Sequence, residues 1–108
     1  MTEYRVAITT APPDQAAGIA RSLVDARLAA CVQVIPGARS FFHWEGAVAD
    51  EEESILLCKT TEGARERFEA HLQTIHSYDV PELLFVPVDS GLPAYLNWLS
   101  SEVKEELE

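Results

Sequence analysis

Apolar residues change their period several times along the chain, and the changes mark the elements. Tyr4-Arg5-Val6-Ala7-Ile8-Thr9-Thr10 alternates and is rich in β-branched residues, which predicts a strand. Ala11-Pro12-Pro13-Asp14 breaks it. The prolines suit a helix's first turn, where a missing N–H has no intrahelical partner, and Asp14 complements the positive helix end. Ala16, Ile19, Ala20, Leu23, Val24 and Leu28 then recur at helical spacing, predicting about four turns with one apolar face. A second strand begins at Ala30-Cys31-Val32-Gln33-Val34-Ile35, bends at Pro36-Gly37 and resumes from Arg39 to Glu45. Gly46 to Asp50 reads as the turn and Glu51 to Thr60 as the returning strand. Thr60-Thr61-Glu62 offers an N-cap to a second helix whose buried face is Ala64, Phe68, Leu72 and Ile75. His76 to Pro81 reads as a loop and Glu82 to Val88 as a strand. Ser90-Gly91-Leu92-Pro93 starts a last helix with Leu92, Leu96, Leu99 and Val103 on one side, and its charged tail, Glu102 to Glu108, is expected to fray.

The order βαββαβ with an appended helix is that of the split-βαβ, ferredoxin-like arrangement: an α+β fold with one antiparallel sheet and two helices on one face. No repeat, low-complexity tract or linker interrupts it, so residues 1–108 read as a single domain. The opposite sheet face is then bare, and a wide apolar face needs a cover, either the last helix or another subunit. The hairpin arms, about ten residues each, overshoot strands of ordinary length. An overshooting hairpin exposes unpaired edges that proteins hide or use for strand addition, so oligomerisation through the hairpin is the physical expectation.

Eighteen acidic residues against eight basic ones leave a formal net charge of −10. That balance repels phosphate backbones and argues against a nucleic-acid partner. The longest apolar runs, such as Leu83-Leu84-Phe85-Val86-Pro87-Val88, are far too short to span a bilayer. Met1-Thr2-Glu3 runs straight into the first strand without a basic and then apolar leader, so a cytoplasmic protein with reduced thiols is expected.

Candidate chemistry is sparse. His71 and His76 are five apart, roughly 140° round a helix, and do not form a preformed chelating pair. His43 and Glu45 lie two apart on a strand and share a face about 7 Å apart, while Trp44 points the other way as a packing or interface anchor. With the turn centred near Ala47, Cys58 faces Pro36 and misses Cys31 by about five residues, on the order of 16 Å, which argues against a disulfide. Cys31 is a small buried hydrophobe or a soft-metal thiolate, and no neighbouring group activates it as a nucleophile. The densest stretch is His76-Ser77-Tyr78-Asp79-Val80-Pro81-Glu82, whose side chains either bind a ligand or tie the loop down. Lys59, at the end of the third strand, is the best single anion contact. No nucleophile elbow, phosphate-cradling loop or CxxC pair supports an enzyme.

The blocks Ala20-Arg21-Ser22-Leu23-Val24 through Leu28-Ala29-Ala30-Cys31-Val32, Ile35-Pro36-Gly37, Phe42-His43-Trp44-Glu45-Gly46, Leu57-Cys58-Lys59-Thr60, His76-Ser77-Tyr78-Asp79-Val80-Pro81-Glu82 and Tyr95-Leu96-Asn97-Trp98 occur in the order found in the CutA divalent-cation tolerance family, which the chain therefore resembles from the first strand to the last helix. The resemblance implies a ferredoxin-like subunit in a PII-like homotrimer whose long hairpins pair between subunits. It also implies a non-enzymatic role in tolerance to copper and other divalent ions, bound in inter-subunit clefts. Cys31, Trp44, Glu45, Lys59, Tyr78 and Glu82 are the residues expected near those clefts. Family members with a proposed copper site use a cysteine late in the first strand and two adjacent histidines entering the loop. Here those positions hold Thr9, Ile75 and His76, so His76 alone remains as a metal ligand. The alternative is a PII-like signalling or scaffolding trimer that binds a small metabolite in the cleft and an unidentified protein partner through a loop.

Overall fold

The computed structural model describes residues 2–104. Strand β1 (Tyr4–Ala11) lies inside a four-stranded antiparallel sheet between β3 (Ala47–Thr61) and the short β4 (Leu84–Pro87), and β2 (Cys31–Trp44) pairs with the outer side of β3. Helices α1 (Ala16–Asp25) and α2 (Arg65–Ile75) cover one face. The side chains that meet them alternate along the strands: Ala7, Thr9 and Ala11 of β1 and Leu56 and Cys58 of β3 are buried against Ile19, Leu23, Phe68 and Leu72. Each large apolar side chain removed from water contributes about 1.5–3 kcal/mol, so this layer carries most of the fold. Phe68 and Phe85 of β4 meet edge to face, their centroids 5.6 Å apart.

Several boundaries differ from the sequence expectation for local reasons. The Pro12 carbonyl accepts from the N–H groups of Gln15 and Ala16, so residues 12–15 form a turn and α1 starts later than the prolines suggest. It ends before Leu28, because Arg27 takes φ 61° and the Leu28 and Ala29 N–H groups turn back to the Leu23 carbonyl. Thr60 and Thr61 do not cap α2. Thr60 donates its hydroxyl to the Leu28 carbonyl, and a single 3₁₀ turn, Glu62–Ala64, stands between β3 and α2. Helix α3 (Pro93–Glu102) begins at Pro93, as a first-turn proline should. Leu99 and Val103 pack with Ala64, Tyr4 and Ala30, and Arg27 pairs with Glu102 at 2.6 Å. The expected frayed tail lies outside the described residues from 105 onward.

The hairpin turn is Glu45-Gly46, not Gly46 to Asp50. Trp44 pairs with Ala47, and both turn residues have positive φ, 51° and 83°, the conformation that matches the twist of the flanking strands. Behind it β2 carries a bulge. Ile35 pairs with Ile55 and Ala38 with Glu53, so β2 gains one residue on its partner at Pro36-Gly37, where Gly37 takes φ +83°. The extra residue inverts which side chains of β2 point where. Opposite the odd-numbered residues of β3, the open sheet face receives Cys31, Gln33 and Ile35 before the bulge and Ala38, Ser40, Phe42 and Trp44 after it.

This open face is the one the sequence left bare. Helix α3 covers only its end, over Tyr4 and Thr61. Val6, Ile8, Ile55 and Leu57 remain half-buried, and Ile35, Leu84 and Val86 are 45%, 58% and 43% exposed.

Candidate functional site

The segment joining α2 to β4 crosses the sheet where β1 ends, and hydrogen bonds hold it there. The His76 N–H bonds the Leu72 carbonyl as the helix stops, and the backbone then turns extended. The imidazole is buried. Its Nδ1 accepts the Tyr78 N–H at 3.1 Å, so Nε2 carries the proton and donates to the Thr10 carbonyl at 2.7 Å. At the far end Thr9, fully buried, donates its hydroxyl to the Glu82 carbonyl at 2.6 Å. Between these two anchors the Tyr78 hydroxyl donates to Glu53 Oε2 at 2.8 Å. Partial burial, and next the hydrogen bond to the Glu53 carboxylate, push the Tyr78 phenol up to about 12. Glu53 is only 5% exposed, an uncommon placement for a carboxylate.

Loop and hairpin enclose a cleft of about 950 Å³. Phe42, Trp44 and Tyr78 give it aromatic walls, and Glu51, Glu53, Asp79 and Glu82 line it with acid. Its chemistry is that of a site for a cation or for a group with an apolar stem and a positive head.

Of the residues expected near a cleft, the chain brings Trp44, Tyr78 and Glu82 together, with His43 beside them. Glu45 stands apart at the exposed turn, so the shared strand face expected for His43 and Glu45 does not form. Cys31 and Lys59 pair directly with each other at the opposite end of the hairpin. There the Lys59 ammonium donates to the Gln33 side-chain oxygen at 2.5 Å. The expected offset between the cysteines is also corrected. Cys58 pairs with Val32, next to Cys31, and successive residues point to opposite faces, so the sheet itself separates the thiols. Both are free, and burial pushes the Cys58 thiol up to about 12. Glu53, Glu51 and Thr10 are site residues that sequence reasoning missed. The signal for them was the Glu45-Gly46 turn, which sets the register that puts Glu51 and Glu53 on the open face.

Copper does not fit the three family positions. The Thr9 hydroxyl is spent on Glu82, Ile75 is hydrocarbon, and both ring nitrogens of His76, expected as the remaining ligand, hold the loop in this chain. Among the described residues, no three side chains drawn from histidine, cysteine, aspartate and glutamate converge to hold a metal ion. No described helix is long and apolar enough to cross a membrane.

Comparison with known proteins places this geometry. Residues 4–102 match the family model described as CutA1 divalent ion tolerance protein. The chain is 42% identical over 100 residues to the divalent-cation tolerance protein CutA of Pectobacterium atrosepticum, covering 92% of this chain and 91% of that one. The crystal structure of CutA1 from Oryza sativa superimposes with a TM-score of 0.94 at 34% identity, covering 96% of each chain. A structure described as the periplasmic divalent cation tolerance protein CutA from Archaeoglobus fulgidus superimposes at 0.89 with 31% identity, covering 94% of this chain and 99% of that one.

Proposed function

The chain belongs to the CutA1 divalent ion tolerance family, and from that premise we propose that it works as a non-enzymatic homotrimer that takes divalent cations in clefts between its subunits. The carrying observation is the acidic, aromatic-walled cleft between hairpin and loop, opening onto an apolar sheet face that one chain leaves half-exposed. Covering that face with two further copies removes it from water, and bringing clefts against neighbours supplies the donors a single chain lacks. The donors lining the cleft are four carboxylates and one imidazole, His43, a set that suits hard divalent ions; a Cu(I) site would need thiolates and a Cu(II) site several imidazoles. The cytoplasm, with Cys31 and Cys58 reduced, is the proposed compartment.

Calorimetric titration with Mg²⁺, Zn²⁺ and Cu²⁺ tests the reading. Binding tighter than about millimolar that weakens in Glu51→Gln but persists in His76→Ala is expected, and no binding at that level by any of the three ions sinks it. The PII-like alternative, a metabolite-binding signalling trimer, draws on Lys59 as an anion contact on the open face. A thermal-shift response to nucleotides or organic acids, without one to metals, would favour it.

A further inference from the structure

The open sheet face carries opposite charges at its two ends, and among the described residues no ion pair joins them. At the acidic end the buried Glu53 has, among the described residues, one neutral hydrogen-bond partner, the Tyr78 hydroxyl, while Glu51 and Glu82 line the same cleft. A carboxylate held out of water is costly unless a cation or several donors compensate it. At the other end Lys59 is half-buried, bonded to the neutral Gln33 amide and in no ion pair among the described residues. Lys59 and Glu53 project from the same face of β3, six positions apart, which is about 20 Å of strand and beyond the reach of both side chains. Ile8, Ile35, Ile55, Leu57 and Leu84 make the surface between them apolar. A positive head, an apolar body and a negative cleft on one surface are complementary to another copy of the same surface displaced along the strands.

We infer that Lys59 of one copy enters the hairpin–loop cleft of the next and pairs with Glu53 at its buried wall, leaving Glu51, Asp79 and Glu82 to the divalent ion, so that each cleft is completed by its neighbour. The inference rests on the trimeric reading and adds to it the contact that sets the order of subunits round the ring. Phe42, Trp44 and Tyr78 are placed to pack the methylene stem of the incoming lysine, and its ammonium supplies the charge that the buried carboxylate lacks. The residues expected near one cleft thereby divide between two chains: Cys31 and Lys59 from one, and Trp44, Tyr78 and Glu82 from the other.

Light scattering over a dilution series of wild type, Lys59→Glu, Glu53→Lys and the double exchange tests this. Wild type is expected to be trimeric, each single variant to weaken association by roughly a hundredfold, and the double exchange to recover most of the loss. A trimeric wild type that neither single variant weakens overturns the inference and leaves the trimer standing, whereas a monomeric wild type overturns the trimer itself. Because a lysine at buried position 53 endangers folding, carbodiimide coupling of the wild-type protein gives a second reading. An amide between Lys59 of one chain and Glu53 or Glu51 of another, found by mass spectrometry, is expected. Its absence from a trimeric sample in which other inter-chain amides form overturns the pairing.

Discussion

His76 makes two hydrogen bonds with two ring nitrogens, which turns its substitution into a stability experiment. His76→Ala leaves the Tyr78 N–H without its partner and the Thr10 carbonyl with only the long 3.5 Å contact from the Thr9 hydroxyl, and a loss of about 2–4 kcal/mol in chemical denaturation is expected, with any metal binding retained. Alkaline pH probes two other groups. The Cys58 thiol, raised from 9.0 to about 12 chiefly by burial, and the Tyr78 phenol, raised from 10.0 to about 12, are both held neutral by the fold. Their contribution is complete below pH 9 and pH 10 respectively and is lost as pH climbs toward 12. Denaturation curves across that window should show falling stability, and Tyr78→Phe should flatten the part above pH 10. At this scale the sequence marked 76–82 as dense in polar groups, yet it left open whether His76 and Tyr78 bind a ligand or tie the loop. That choice depends on where the end of β1 and Glu53 stand, and both are set by long-range register.

At the scale of elements, the hairpin turn is the least well-suited piece of local chemistry. Glu45 sits at φ 51°, where asparagine is much better tolerated, and Gly46 follows at 83°. Glu45→Asn is expected to stabilise by about 0.5–1 kcal/mol, read as a higher melting temperature, and Gly46→Ala to destabilise by about 1–2 kcal/mol. A Cβ at either Gly46 or Gly37 meets no atom within 4 Å, so losses there measure backbone conformation rather than crowding. The strands and helices themselves were legible, because β-branched alternation and the repeats at Ile19, Leu23, Phe68 and Leu72 follow from burial on one face. The turn was misplaced by sequence reasoning because Glu-Gly is a weak hairpin signal and Ala47-Val48-Ala49 offers no stronger one nearby. That shift of register moved the partner of Cys58 three places from Pro36, and the bulge added the fourth, to Val32.

At the scale of the molecule, the distal hairpin lies beyond the layer that the helices cover: Phe41 and Trp44 are 62% and 66% exposed, while Ser54 and Leu56 are buried. Replacing residues 40–51 by a two-residue turn should therefore leave a folded subunit, checked by its circular dichroism, with a light-scattering mass roughly a third that of the wild-type assembly. The need for a cover was readable from four strands with helices on one side. The two charged ends of the open face were not, because the burial of Glu53 depends on the loop that crosses beside it, and the aromatics of β2 that wall the acidic end join the face only after the bulge.

That bulge leaves a signature in how the hairpin tolerates change. A saturation scan of residues 31–44, scored by assembly, should alternate between sensitive and indifferent positions. The alternation should reverse phase at Pro36-Gly37, with odd positions sensitive before it and even positions after it. Deleting Gly37 would remove the bulge and end that reversal, leaving Phe42 opposite Ala49 and Trp44 opposite Ala47 on the open face, without altering a single side chain of the interface.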